Sequence, residues 1–177
     1  MTEIVSVTDR GVRLDIPFEA CVLYHGRDSI GGLALGFRLI AHALRVLTPG
    51  EAPERSDIVF RTGFPGPGVR DAVEMTTRAV TRGAWHVIET PPADAPEGVY
   101  GRMYFEVSVG GKTAVIRLSD GALSEDFVQT GRRVVGGDCS PEVLEHWTAC
   151  KAELAEAVLA ADPDQLFVTN EIGRAHV

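Results

Sequence analysis

Met103-Tyr-Phe-Glu-Val-Ser-Val-Gly-Gly-Lys-Thr-Ala-Val-Ile-Arg-Leu118 is the stretch that decides the fold. Met103, Phe105, Val107 and Val109 alternate with more polar residues, which is the period of a strand with one buried face. Gly110-Gly111 supplies the positive φ of a two-residue hairpin turn, and Thr113 to Leu118 returns. The reading is an antiparallel hairpin whose two strands form the centre of a sheet.

The rest of the chain is placed around that hairpin. Upstream, Ile30, Leu33, Phe37, Ile40, Leu44 and Leu47 recur in steps of three and four, which predicts a central helix with one apolar stripe. Asp28 or Ser29 can cap it, and Pro49-Gly50 ends it. Arg38, His42 and Arg45 lie off the stripe and are expected to face water or a partner. Before this helix come two short strands, Ile4 to Val7 and Val12 to Ile16, and a short helix to Tyr24. After it come a strand at 57–61, a second helix at 69–81 and a strand at 85–89. Downstream of the hairpin, the pattern predicts a short helix near 124–132. A long helix follows, opened by Ser140-Pro141-Glu142, and then a closing strand at 166–168. Helices mixed with hairpin-paired strands make an α+β domain with a mixed, largely antiparallel sheet packed by helices.

Composition narrows the class. The 177 residues fit one domain, and 17 basic against 25 acidic side chains leave a net charge of -8. That balance argues against nucleic acid, which demands clustered Lys and Arg; Lys112 and Lys151 are the only lysines. Cys21, Cys139 and Cys150 are odd in number and irregularly spaced, so they suggest neither a disulfide framework nor a Cys-x-x-Cys metal knuckle. The expected setting is reducing and cytoplasmic. No apolar run is expected to reach the ~18 residues of a membrane span. The last seven residues, Glu171 to Val177, read as the translation of a sequencing-library adapter running into its own stop codon. Residues 1–170 are therefore taken as the native domain, from an environmental or transcript fragment, with 171–177 a non-native tail.

Two loops could carry chemistry. Tyr24-His-Gly-Arg-Asp-Ser-Ile-Gly-Gly32 enters the central helix at its N-terminus, where unpaired N–H groups and the helix dipole attract anions. His25 adds a group that titrates near neutrality, and Arg27 a fork suited to carboxylate or phosphate. Gly31 and Gly32 let a ligand approach the backbone; their structural alternative is close helix packing. Arg61-Thr-Gly-Phe-Pro-Gly-Pro-Gly68 repeats the physics between a strand and the second helix, with Arg61, Gly66 and Gly68. It lacks the Gly-Lys-Ser/Thr ending of a P-loop. The two loops are expected to converge on one pocket. Cys139, His86, His146 and the pair Asp71 and Glu74 read as structural or solvent-facing.

His25-Gly-Arg-Asp-Ser-Ile-Gly-Gly-Leu-Ala-Leu-Gly-Phe-Arg38 resembles the His-Gly-His-x-Cys-Pro-Gly-x-x-x-Gly-x-Arg signature of FmdE-like proteins, a family named for a component of formylmethanofuran dehydrogenase. Asp71-Ala-Val-Glu74 is similar to that family's Asp-Ala-Ile-Gln segment, and Tyr100-Gly-Arg-Met-Tyr-Phe105 to its Tyr-Gly-Lys-Met-x-Phe strand. The resemblance implies a fold like the C-terminal domain of glyceraldehyde-3-phosphate dehydrogenase, often dimeric. Arg27 stands where the family has its second histidine and Ser29 where it has its signature cysteine. The later family cysteines fall near Gly68 and Ala79, and the zinc ribbon is missing.

These readings lead to one expectation. A carboxylate or phosphate on an organic molecule sits between the two glycine-rich helix starts, held by Arg27, Arg61, Ser29 and the Gly31, Gly32, Gly66 and Gly68 backbones. His25, with Ser29 and Asp28, serves catalysis of lyase, isomerase or hydrolase type. No cofactor is expected, and any metal would not be cysteine-ligated zinc. The partners are a small anionic molecule and a second copy of the chain, with no nucleic acid and no membrane. The alternatives are a docking or dimerisation protein of a larger enzyme using the Arg38, His42 and Arg45 face, and a weak metal-binding member of the resembled family.

Overall fold

A computed structural model describes residues 3–174. The chain opens with a separate antiparallel hairpin, β1 (Ile4–Asp9) and β2 (Val12–Pro17), followed by α1 (Phe18–His25) and α2 (Ile30–Leu47). Next come β3 (Ile58–Thr62), α3 (Pro67–Thr77) and β4 (Trp85–Val87). The deciding hairpin is β5 (Tyr104–Val109) and β6 (Lys112–Leu118). Then follow α4 (Glu125–Val135), α5 (Pro141–Ala160), a short α6 (Pro163–Leu166) and β7 (Phe167–Arg174).

The main sheet has the order β4-β3-β5-β6-β7. Only β3 and β4 run parallel; the other neighbours are antiparallel. The fold is thus α+β with a mixed, largely antiparallel sheet, and the expected hairpin lies inside it. Gly110 and Gly111 take φ of 56° and 82° at its turn, the positive pair that a side chain resists. The buried residues of the sheet, Ile58, Phe60, Phe105, Val107, Ala114 and Ile116, alternate along their strands and join one core with α2. Each such fully buried side chain is worth about 1.5–3 kcal/mol for the larger types.

The helix α2 is more enclosed than a single stripe implies. It packs on α3, on α5 and on the central strands, so Ala34, Leu35, Leu39 and Ala43 are buried along with the periodic set. It is also long and apolar enough to meet the test for a membrane span, contrary to the sequence expectation, with mean hydropathy 1.5 over 18 residues. Its 78% burial inside the fold is that of a core helix.

The face bearing Arg38, His42 and Arg45 does not face water as a unit. Arg38 and His42 are 7% and 4% exposed, because the segment after α5 folds back over them. Arg38 donates to the Glu3 carboxylate at 2.6 Å and to the Ala161 carbonyl. The His42 Nε2 pairs with Thr169 Oγ1 at 2.8 Å, and Arg45 reaches Asp164. Arg38 and His42 are therefore covered by the chain itself, while the Arg45 side chain stays half-exposed.

Other boundaries moved for local reasons. The helix α3 ends at Thr77 rather than at 81, since Arg78 adopts the left-handed conformation (φ 59°) that closes helices. The buried carboxylate of Glu74 then accepts the Thr81 amide at 3.0 Å and its hydroxyl, fixing the turn beyond. Ser29 occupies the cap position of α2 but its side chain makes no capping bond, and Asp28 pairs elsewhere. The closing strand runs to Arg174, with residues 171–174 continuing the backbone ladder against β6; residues 175–177 of the expected tail lie outside the described residues.

Candidate functional site

The two glycine-rich loops meet. The start of α3 lies against the start of α2, so that a Cβ on Gly32 would be 3.5 Å from the Gly68 Cα. One turn further on, a Cβ on Gly36 would come within 2.8 Å of the Val69 Cα. Gly36 on α2 and Gly68 on α3, where a Cβ would come within 2.8 and 2.5 Å of the other helix's backbone, are what let the two helices touch. The entry to α3 is fixed by Thr62, whose hydroxyl accepts the Phe64 amide at 2.9 Å and donates to the Phe64 carbonyl at 2.8 Å. That turn directs Phe64 toward Tyr100, with ring centroids 5.7 Å apart.

A cavity of about 420 Å³ opens at this junction, within the size range of small-molecule sites. Its polar end is formed by Asp28, Ser29, Gly32, Gly66, Pro67 and Gly68. Neither helix start has a side-chain cap there: Ser29 and Gly66 are the cap residues, and neither makes the capping bond. First-turn N–H groups without side-chain acceptors are suited to an anion. The rest of the wall is aromatic and apolar, from Phe64, Tyr100, Phe127 and Trp147. Lys151 is the cation of the wall. Its ammonium donates to Asp28 Oδ1 at 2.9 Å and stands 5.6 Å from the Trp147 ring centroid. The Lys151 side chain is 12% exposed and that of Asp28 91%, so the lysine is fixed in the wall while its partner stands in solvent. Burial, with the Asp28 carboxylate, raises the Tyr100 hydroxyl above its ordinary pKa.

Of the residues singled out from sequence, Asp28, Ser29, Gly32, Gly66 and Gly68 line this cavity. His25, Arg27, Gly31 and Arg61 do not. The His25 side chain is 9% exposed and its Nδ1 donates to Asp71 Oδ2 at 2.7 Å, tying the end of α1 to α3. Its Nε2 is buried and has no hydrogen-bond partner among the described residues. Arg27 lines a separate apolar groove between α1 and α5. Gly31 is the contact of α2 with α5, where a Cβ would meet the Lys151 carbonyl at 2.9 Å. Arg61 lies on the outer face of the sheet, paired with Glu106 at 2.8 Å. Lys151, Tyr100 and Trp147 were not among the sequence candidates. The scarcity of lysine was the available signal for Lys151; the aromatic wall is assembled from four distant segments and has none.

A second cluster joins α4 to α5. Asp126, His146 and Cys150 bring one donor atom each to within 4.8 Å of the others. His146 and Cys150 are one turn apart on α5, and Asp126 projects from α4. The His146 hydrogen bond is the leading cause that lowers the Asp126 pKa, whereas burial and the same carboxylate raise the Cys150 thiol. Cys21 is a core thiol pushed up to about 12 by burial, and Cys139 is exposed.

Comparison with protein-family models gives no match to this chain, and comparison with curated proteins gives none. The functional reading rests on the site itself.

Proposed function

We propose that the chain binds a small organic molecule with an aromatic or apolar body and a carboxylate or phosphate group. The observation that carries this reading is the composition of the cavity at the α2 and α3 starts. Its floor is two helix N-termini without side-chain caps, its wall is aromatic, and Lys151 is held between them. An anionic group would lie against the Gly66 to Gly68 backbone and displace Asp28 from Lys151, while the body stacks among Phe64, Tyr100, Phe127 and Trp147. The exposed Asp28 partner makes that exchange cheap, since an ion pair at a surface contributes about 0–1 kcal/mol. His25 serves this pocket at one remove, through Asp71, by fixing where α3 begins. The resemblance to FmdE-like proteins is compatible with such a site, which uses the matching loop but a different chemistry from thiolate ligation.

Thermal unfolding with 1-naphthoate, 1-naphthyl phosphate, 1-naphthol and inorganic phosphate tests the reading. The two naphthyl anions raise the melting temperature most, because binding to the native state alone adds RT ln(1 + [L]/Kd). In Lys151→Met their advantage over 1-naphthol disappears. No shift with either anion, or shifts that Lys151→Met leaves unchanged, would overturn it.

A further inference from the structure

We infer that Asp126, His146 and Cys150 form a zinc site that clamps α4 to α5. The three donors converge on one point. His146 Nε2 is 2.8 Å from Asp126 Oδ2, and Cys150 Sγ is 3.6 Å from each of them. Tetrahedral zinc with Zn–S of about 2.3 Å and Zn–N or Zn–O of about 2.0–2.1 Å has donor separations of about 3.6 Å for sulfur to nitrogen or oxygen, and about 3.3 Å for nitrogen to oxygen. Both sulfur distances already have the tetrahedral value. The nitrogen to oxygen distance needs to open by roughly half an ångström, which happens when the ion replaces the hydrogen between them.

The same geometry rules out the obvious rival, a cysteine nucleophile with a His-Asp relay. A relay places the carboxylate on one ring nitrogen and the nucleophile on the other. Here both lie against Nε2, which must carry the hydrogen it gives to Asp126 and so cannot accept the thiol proton, and Nδ1 touches neither group. A shared cation uses such convergence. The donor set of thiolate, imidazole and carboxylate is one that zinc accepts. Binding removes the proton from the Cys150 thiol to solvent and leaves the His146 ring with its proton on Nδ1 and Nε2 on the metal.

The position has a consequence for the cavity. Each donor precedes a cavity residue in sequence: Asp126 precedes Phe127, His146 precedes Trp147, and Cys150 precedes Lys151. An ion bridging the outer seam of α4 and α5 therefore fixes the aromatic wall and the lysine together. This inference departs from the expectation from sequence that no cysteine would hold zinc, and it rests on the approach of Asp126 to His146 and Cys150.

Cobalt(II) titration of the full chain, stripped of metal with a chelator and kept reduced without added thiol, tests the site. The expected result is one equivalent of cobalt bound with release of at least one proton, giving a thiolate-to-cobalt charge-transfer band and tetrahedral d–d bands that zinc then bleaches. Cys150→Ser removes the charge-transfer band, and His146→Ala weakens cobalt binding by more than about tenfold for loss of one of three donors. Cys139→Ser leaves the spectrum unchanged, and circular dichroism of the variants checks that they fold. Absence of the band in the folded wild type, its persistence in Cys150→Ser, or its loss in Cys139→Ser would overturn the site.

Discussion

A Cβ placed on Gly68 would stand 2.5 Å from the Ser29 carbonyl oxygen, with the Leu33 amide nitrogen also at 2.5 Å. The neighbours are backbone, at the first turn of a helix buried in the core, and cannot swing aside. Gly68→Ala must therefore push α3 off α2, and overpacking of this kind costs about 1–3 kcal/mol. Gly32→Ala is the contrast. Its Cβ would meet nothing nearer than 3.5 Å, and alanine in a helix gains up to about 1 kcal/mol over glycine. Urea unfolding is expected to show Gly68→Ala destabilised and Gly32→Ala unchanged or stabilised; the reverse order would refute this account of the junction.

Asp28 and Lys151 are the two charged side chains that line the pocket. The Asp28 carboxylate occupies Lys151 at 2.9 Å and competes with any incoming anion. Asp28→Asn is expected to tighten 1-naphthyl phosphate and leave 1-naphthol alone, because only the charged ligand contends with it. Calorimetric titration reads the difference. A gain of about 1 kcal/mol, near fivefold, is the scale of a partly exposed ion pair; equal affinity for the anion in both proteins would show that Asp28 is no competitor.

Much of the architecture could be read from period and punctuation. The β5-β6 hairpin, the extent of α2 and the start of α5 each follow from residues adjacent in sequence, and so they appear where periodicity places them. The meeting of Ser29 to Gly32 with Gly66 to Gly68 was legible too, since both loops end at helix starts and both are built from residues that permit close approach. What sequence could not give is what long-range packing decides. Arg38 and His42 looked like a solvent face because nothing near them in sequence says that 161–169 returns across them. Arg61 looked like a ligand group until β3 was seen to turn it outward onto Glu106. The histidine and cysteine of the second cluster share one helix at a spacing of four, a signal that exists in sequence. Asp126 lies twenty residues away on another helix, and only the structure pairs it.

His25 offers a test of positioning against direct contact. Its imidazole bridges α1 to Asp71 and is not in the cavity wall. Removing it in His25→Ala leaves the half-buried Asp71 carboxylate with the long Arg70 contact at 3.4 Å and is expected to cost about 1–3 kcal/mol of stability. Naphthyl phosphate affinity should fall less than in Lys151→Met. Were His25→Ala to abolish binding while keeping full stability, the imidazole would have to touch the ligand.

The last expectation concerns pH and His42. Burial is the largest cause that lowers its pKa, and the Arg45 and Arg38 charges act in the same direction, with Asp164 opposing. Arg45 can only donate to the His42 Nδ1, 3.1 Å away, so Nε2 carries the ring's proton and gives it to Thr169. The folded chain thus holds this histidine neutral, while the unfolded chain protonates it near about 6.5. Below that value the unfolded state binds the extra proton first, so the contribution is complete above about pH 6.5 and is lost as pH falls toward the folded value. A single group can change stability by no more than about 1.4 kcal/mol per pH unit. Urea unfolding of wild type and His42→Gln, followed from about pH 7.5 to 5.5, isolates it from His25, His86 and His146, which both proteins share. The wild type is expected to lose more stability over that interval than the variant; parallel losses would mean that His42 does not titrate with unfolding.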